Sequence, residues 1–385
     1  MNQSFDFVVV GGGIAGVAVA SELAQYGNVL VLERESSLAY HTTGRSAAIS
    51  MESYGNALIR QLTCVSRSFF KNPPSDLTSD PLSSPRGALI VSDEEHWGKL
   101  NTRYQAVVQQ VPSAQWLDHK AVAEMVPFLE DKWIAGIHEP NAFDLDVHAI
   151  HTAFLRGIRL RGGLVCTEAE LLSSEWCGTV WTVRLTNGQT FEAGTIINAA
   201  GAWADAVAHR CAVTPLGIKP LLRTVVVIDP EVDVRYFPYI NTVDEQLFIK
   251  PDVGRLMVSP CDETPSNPCD ALPDELGVAI TIARLESATT LRPKRVLNRW
   301  AGLRTFVPDR SPLIGADPEI ESFIWCAALG GYGIQTAPAM AQLCTALAIG
   351  SEIPPDLKNI CVADVAPSRM FDMAIEDIVA VAELK

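Results

Sequence analysis

The tightest constraint lies at the start of the chain, where Phe7-Val8-Val9-Val10 runs straight into Gly11-Gly12-Gly13-Ile14-Ala15-Gly16. A β-branched run, G-x-G-x-x-G and an apolar stretch to about Gln25 predict a strand, a tight turn and a helix. A second run, Val29 to Leu32, completes a β-α-β unit, so a parallel sheet begins here. Gly11 permits the turn, Gly13 lets the backbone approach a pyrophosphate, and Gly16 lets the helix pack on the strand. The free N–H groups and dipole of the helix start favour phosphate. Glu33 ends the second strand, 22 residues after Gly11, where a carboxylate accepts ribose hydroxyls and disfavours a 2′-phosphate.

Two further motifs suit a dinucleotide larger than NAD, namely FAD. Tyr40-His41-Thr42-Thr43-Gly44-Arg45-Ser46-Ala47-Ala48 begins eight residues after Leu32. Its small and hydroxylated residues predict a helix start whose N–H groups face pyrophosphate, ribityl chain and flavin ring. A plain N-cap by Thr43 or Ser46 is the alternative. Gly330-Gly331-Tyr332-Gly333-Ile334-Gln335-Thr336 precedes the final apolar helix. A glycine turn that aims this helix inward would place positive potential at the N1–C2 edge of a reduced flavin and raise its electron affinity. A simple loop into a helix is the alternative.

Composition narrows the partners. Asp and Glu number 45 against 30 Lys and Arg, a net charge of −15, which argues against a broad phosphate-binding face and hence against nucleic acid. The nine cysteines are odd in number and form no C-x-x-C, so neither a disulfide framework nor a zinc site is expected, and a reducing, cytoplasmic compartment fits. His148 and His151 follow Asp146, which reads as an N-cap; with no third ligand at metal-site spacing, no metal is expected. The apolar run 7–20 has no Lys or Arg before it and is broken by glycines, so it does not read as a targeting segment. Residues 323–350 carry no charge, but Gly330, Gly331, Gly333 and Pro338 interrupt them; a buried strand, turn and buried helix are expected, not a membrane span.

The order of elements predicts a discontinuous architecture. Residues 1–85, 147–216 and 296–385 form a Rossmann-type FAD-binding domain. Residues 86–146 and 217–295 form an inserted, mainly antiparallel β substrate domain, with the active site between the two. Residues 147–160 read as a helix. Asn187-Gly188 reads as a hairpin turn between Val180–Leu185 and Thr190–Glu192, with a separate buried strand from Thr195 to Ala200.

With these residues in hand, the chain resembles the D-amino-acid oxidase-like flavoenzymes, which share the glutathione-reductase-like FAD fold. The likeness rests on VVVGGGIAGVAVA, VLERE, YHTTGRSAA, IINAAGAWADA, PLGIKP, IKPD, WAGLRTFVPD and GGYGIQT, and within the family it runs to bacterial D-arginine dehydrogenases. The resemblance implies FAD, expected to be non-covalent although some members attach flavin near the position of His41. It further implies FAD contacts from Ala15, Glu33, Arg34, residues 41–48 and residues 331–336, with Ala169 at the adenine and Gly201 near the dinucleotide. Tyr54, Arg223 and Arg304 match substrate-site positions.

The chemistry agrees with that resemblance. Arginine's planar fork suits a substrate carboxylate, so Arg223 and Arg304 are expected to clamp an α-amino acid while the flavin accepts hydride from Cα at N5. The imino acid released would hydrolyse to a keto acid and ammonia, and no side-chain base is required. Tyr54 would bond the carboxylate or close the pocket. Three positions depart from D-arginine dehydrogenase: Ile49 replaces a histidine, Ala88 a glutamate and Phe248 a tyrosine. A guanidinium would lose its counter-charge there, so a D-amino acid with a neutral or apolar side chain is expected. The same arginines would serve a secondary amine, an imino acid or a 2-hydroxy acid, and a non-catalytic flavin-binding interaction protein is a further reading. Oxygen, a quinone or a carrier would take the electrons; a quinone would bring the protein transiently to a membrane surface.

Overall fold

The computed structural model describes residues 3–372; residues 373–385 of the expected FAD-binding part lie outside the described residues. Strand Gln3–Val10 runs between Thr190–Asn198 and Val29–Leu32, parallel to both. Parallel strands covered on both faces need apolar residues on both faces, which is what Val8, Val9 and Val10 supply. Helix Ile14–Leu23 is buried nearly all round and packs between helices Val147–Leu160 and Gly333–Ala348. The eight-stranded sheet is completed by Leu164–Cys166, the hairpin Leu171–Trp176 and Trp181–Leu185, and strands Leu313–Ala316 and Phe323–Ala327. Asp146 caps the 147–160 helix by accepting from Ala149 N at 2.8 Å.

A second, nine-stranded sheet is mainly antiparallel and stands over the C-terminal ends of the first. Its strands come from 88–92, 115–118, 135–139, 219–265 and 296–306. Strand Val296–Phe306 pairs along its length with Lys219–Ile228. Sheet membership therefore places 296–306 with the second layer, although the expected division begins the last FAD-binding piece at 296. Ten residues of antiparallel ladder outweigh the position in sequence order.

Two local expectations change. Residues 41–48 do not open a helix: they form a single 3-10 turn, Thr43–Arg45, and then extend into strand Ile49–Ser50. Ala48 sits at φ +37°, which breaks helical continuation. The Asn187-Gly188 turn does join two strands, but Thr190–Asn198 continues unbroken where two separate strands were expected. Gly194 stays in the strand because Asp6 O lies against it; a Cβ there would sit 2.9 Å from that oxygen. Among the described residues, no helix is long and apolar enough to cross a membrane.

Candidate active site

A long cleft opens where the two sheets meet. One wall comes from the first sheet and its turns (Val10, Gly11, Gly13, Leu32, Cys326), the other from Arg223, Val225, Phe248 and the run Gly302–Thr305. Of the residues singled out in the sequence, Gly11, Gly13, Ile14, Ala15, Glu33, Arg34, His41, Thr42, Thr43, Arg45, Ser46, Ala47, Ala169, Gly201, Gly331, Gly333 and Ile334 line it, together with Arg223, Phe248 and Arg304.

The cleft is shaped for an extended phosphate-bearing ligand. A Cβ on Gly11, at φ +114°, would meet Ala199 O at 2.5 Å, and one on Gly16 would meet Gly11 O at 1.9 Å. Gly16 thus serves the turn from behind and does not line the cleft. Gly13 caps helix Ile14–Leu23 without a side-chain bond, and no acidic residue stands in the first turn, so the helix start keeps its affinity for an anion. Thr43 Oγ1 accepts from Ile14 N at 3.0 Å. The Glu33 carboxylate accepts from Gly12 N at 2.8 Å and Glu35 N at 2.9 Å. At that end Arg34 lies over the Trp203 ring at 4.2 Å, and His41 packs between Tyr40 and Trp203. His41 Nε2 pairs with Glu35 at 2.9 Å, whereas its buried Nδ1 has no protein partner. Glycine cradle, a helix start free of acidic residues and an orphaned ring nitrogen together fit a dinucleotide.

The 41–48 segment is held by the second sheet. Thr42 Oγ1 donates to Leu303 O at 2.7 Å, Arg45 Nη1 to Ala301 O at 2.9 Å, and Trp300 Nε1 to Arg45 O at 2.9 Å. Buried Lys250 donates to Ala47 O and Ala48 O and pairs with Asp144 at 3.3 Å. Gly44 and Ala48 face away from the cleft; a Cβ on Gly44 would strike Ala39 O.

At the other end stand the arginines. Arg223 pairs with Gly302 in the antiparallel ladder, and Arg304 is two residues further along the same strand, so both side chains leave the same face of the sheet. Arg223, 9% exposed, approaches Glu263 at 3.4 Å, and Glu263 also holds Arg310 at 2.7 Å. Arg304 makes no ion pair among the described residues; its Nη1 donates to Tyr54 Oη at 3.4 Å. Tyr54 packs edge-on against Tyr332, with centroids 4.9 Å apart. Burial pushes the Tyr239 and Tyr332 phenols and the Cys261 thiol upward. These neighbours are therefore neutral at pH 7, and a bound anion would face guanidinium charge without a competing anion from them.

The remaining positions take supporting places. Ile49, Ala88, Phe248 and Tyr54 meet in one apolar cluster with Met51, Tyr239 and Trp300; of these four only Phe248 reaches the cleft. Tyr332 lines a separate outer cavity. Gln335 is buried behind the cleft, accepting from Met51 N and donating to Thr63 Oγ1 at 2.9 Å. Thr336 Oγ1 donates back to Tyr332 O.

Sequence reasoning missed four participants. Trp203 lies inside the IINAAGAWADA run but gives no sign of stacking. Lys250 and Glu263 act through partners about 40 to 200 residues away. His151 Nε2 reaches Gly12 O at 2.9 Å, although the sequence read it as part of an ordinary helix start. The signal was available: His151 shares the buried face of its helix with Ile150, Phe154 and Ile158, and a buried histidine needs a partner.

Comparison with known proteins gives a consistent picture. The family profile described as "DAO: FAD dependent oxidoreductase" matches residues 6–347. Glycerol 3-phosphate dehydrogenase of Caloramator mitchellensis is 23% identical over 88% of this chain and 72% of its own length. Mitochondrial dimethylglycine dehydrogenase of Rattus norvegicus is 24% identical over 91% of this chain, which spans only 43% of that relative. The crystal structure of glycine oxidase from Geobacillus kaustophilus superposes with a TM-score of 0.82 at 20% identity, covering 95% of this chain and 99% of that one.

Proposed function

This chain belongs to the FAD-dependent oxidoreductase family matched across residues 6–347, with FAD as its cofactor, and from that premise we propose that it oxidises a small α-amino acid of D configuration with a neutral or apolar side chain. The observation that carries the proposal is Arg304, a cation without an ionic partner among the described residues, standing at the end of the cleft beside Tyr54. A carboxylate there completes a charge-assisted pair and accepts a second bond from Arg223. The apolar cluster of Met51, Ile49, Ala88 and Phe248 behind the arginines offers no carboxylate to a basic side chain, which disfavours arginine and lysine. The likeness to D-arginine dehydrogenases stops at these positions.

FAD, when bound, supplies the two-electron acceptor for the Cα hydride. Gly11 and Gly13 with the helix start would hold its pyrophosphate, Glu33 its ribose, and His41, Arg34, Ala169 and Gly201 would flank its adenosine end. Thr43, Arg45, Ser46, Ala47, Gly331, Gly333 and Ile334 would flank the opposite end. Arg304 and Arg223 bind the substrate carboxylate and so orient Cα, while Tyr54, bonded to Arg304, and Tyr332, packed on Tyr54, wall this end off from the outer cavity and from water. The amine must be neutral for its lone pair to assist, and its proton leaves to solvent. The imino acid then takes up water to yield a keto acid and ammonia. The two-piece division described above assigns cofactor to one layer and substrate to the other.

A second reading keeps the site and changes the bond that is oxidised. The relatives are named for dimethylglycine and glycerol 3-phosphate as well as glycine, so a secondary or tertiary amine acid, or a hydroxy acid, is the alternative substrate class. Anaerobic addition of D- and L-alanine, dimethylglycine, glycerol 3-phosphate and a 2-hydroxy acid to the yellow holoenzyme decides between them. Bleaching of the flavin bands by D-alanine ahead of the others is expected. Bleaching only by a hydroxy compound, or by no compound, overturns the proposal.

A further inference from the structure

Beyond Tyr332 lies a second cavity of about 340 Å³, lined by Ser53, Gly55, Asn56, Arg60, Arg103, Glu245, Asp309, Arg310 and Tyr332. It carries three guanidiniums, and their partners differ. Arg310 is bound in a fork by Glu263, at 2.7 and 3.1 Å. Asp309 is taken by Arg369, at 2.7 Å. Arg103 reaches Glu245 only at 3.7 Å and Ser53 O at 3.5 Å. Arg60 donates to neutral acceptors alone, Gln110 Oε1 at 2.7 Å and Gly55 O at 3.1 Å, and makes no ion pair among the described residues. Burial, and next the charge of Arg103, hold the Arg60 guanidinium below its ordinary pKa. Two like charges thus share the cavity, and of its two carboxylates Asp309 is held by Arg369 and Glu245 pairs only loosely with Arg103.

We infer that this outer cavity is an anion-binding vestibule in which Arg60 and Arg103 capture the substrate's carboxylate before it passes the Tyr54–Tyr332 pair to Arg304. Three observations converge on it. The cavities adjoin: Tyr332 lines the outer one, packs on Tyr54 at 4.9 Å, and the Tyr54 hydroxyl touches Arg304 at 3.4 Å. Arg60 lacks an anionic partner among the described residues and Arg103 has only the long contact to Glu245, so a carboxylate supplies the missing charge. The third observation is global charge. A chain of net charge −15 repels an acidic ligand at a distance, and a local cluster of guanidiniums at the mouth reverses that field where the ligand arrives. The vestibule is a capture site, and it rests on the reading that the substrate is a carboxylate.

Two measurements on the holoenzyme test it separately from that reading. The first titrates propionate, an inert monocarboxylate, and follows thermal unfolding by flavin fluorescence. Stabilisation by propionate is expected to survive in part in the R223Q/R304Q double variant, which removes both arginines of the inner clamp, and to disappear only when R223Q/R304Q is combined with R60Q and R103Q. The second uses whichever amino acid bleaches the flavin. The R60Q/R103Q variant is expected to raise KM on the order of tenfold, more than it changes kcat, and to flatten the fall of kcat/KM with ionic strength. R60K/R103K, which keeps both charges, retains the wild-type salt dependence. Flavin absorbance reports whether a variant has folded, and R103Q alone gives the same reading at smaller amplitude. An R60Q/R103Q enzyme with wild-type KM and salt dependence overturns the inference. So does propionate stabilisation that vanishes entirely in R223Q/R304Q. Failure of every amino acid to bleach flavin would defeat the proposed substrate class, while the propionate titration would still report on the vestibule.

Discussion

Gly331 makes room for Arg304. A Cβ at position 331 would lie 2.5 Å from Arg304 Cζ and 2.7 Å from its Nε, so the guanidinium rests directly on the glycine backbone. The expected consequence of Gly331→Ala is displacement of that guanidinium from the cleft. Overpacking costs about 1–3 kcal/mol, and the side chain relieves it by swinging away. Visible absorbance should remain that of bound flavin, while the rate of anaerobic flavin reduction falls at least tenfold. A variant that reduces at the wild-type rate would show that Arg304 does not need its observed seat.

Arg304 itself should be the most sensitive position in the cleft. Truncation to alanine removes the cation that has no other ionic partner among the described residues, and losing one member of a buried charged pair costs about 2–5 kcal/mol in kcat/KM. Arg304→Lys keeps the charge but not the fork, so it should fall between the two. Arg223→Ala is expected to cost less, because Glu263 already partly neutralises it. Steady-state kinetics across the three variants gives the ranking.

Much of this was legible in the sequence, for a physical reason. A parallel strand, a glycine turn and a buried helix each need residue types with few substitutes, so Val8–Gly16, Glu33 and the Asp146-capped helix declare themselves locally. The arginines declared only their charge; their shared face follows from the register of Arg223 on Gly302, a pairing 79 positions apart that no local pattern encodes. The 41–48 segment misled for the opposite reason. Its Thr, Gly and Ser residues favour a helix start, but its bonds run outward to Leu303 O, Ala301 O and Lys250, and tertiary partners override a weak local preference. The outer cavity was invisible because Arg60, Arg103, Glu245 and Arg310 come from four separate stretches of chain.

Thr43 links its own turn to helix Ile14–Leu23. Its Oγ1 accepts the N–H of Ile14, the first residue of that helix, in the manner of a cap delivered from 29 positions away. Thr43→Val keeps the shape and deletes the acceptor. A loss of about 1 kcal/mol of stability is expected, with weaker FAD retention on dialysis. Thr43→Ser should restore both. Equal flavin retention in valine and serine variants would remove Thr43 from the cradle.

His151 should make flavin retention acid-sensitive. Its Nε2 bonds Gly12 O at 2.9 Å, inside the glycine turn. Burial holds its pKa below the ordinary 6.5, with the charge of His148 acting the same way, while the Gly12 bond and Glu33 oppose. Because the folded value is depressed, the unfolded chain binds more protons below about pH 6.5, and stability is present above that point and lost as pH falls through it. His138, lowered by burial as well, acts in the same direction, so the informative quantity is the difference between proteins. His151→Gln keeps a donor for Gly12 O and cannot charge. The melting temperature and flavin retention measured from pH 8 down to pH 5 should therefore fall less steeply in this variant than in the wild type. Identical profiles would mean that the histidine does not couple protonation to the glycine turn.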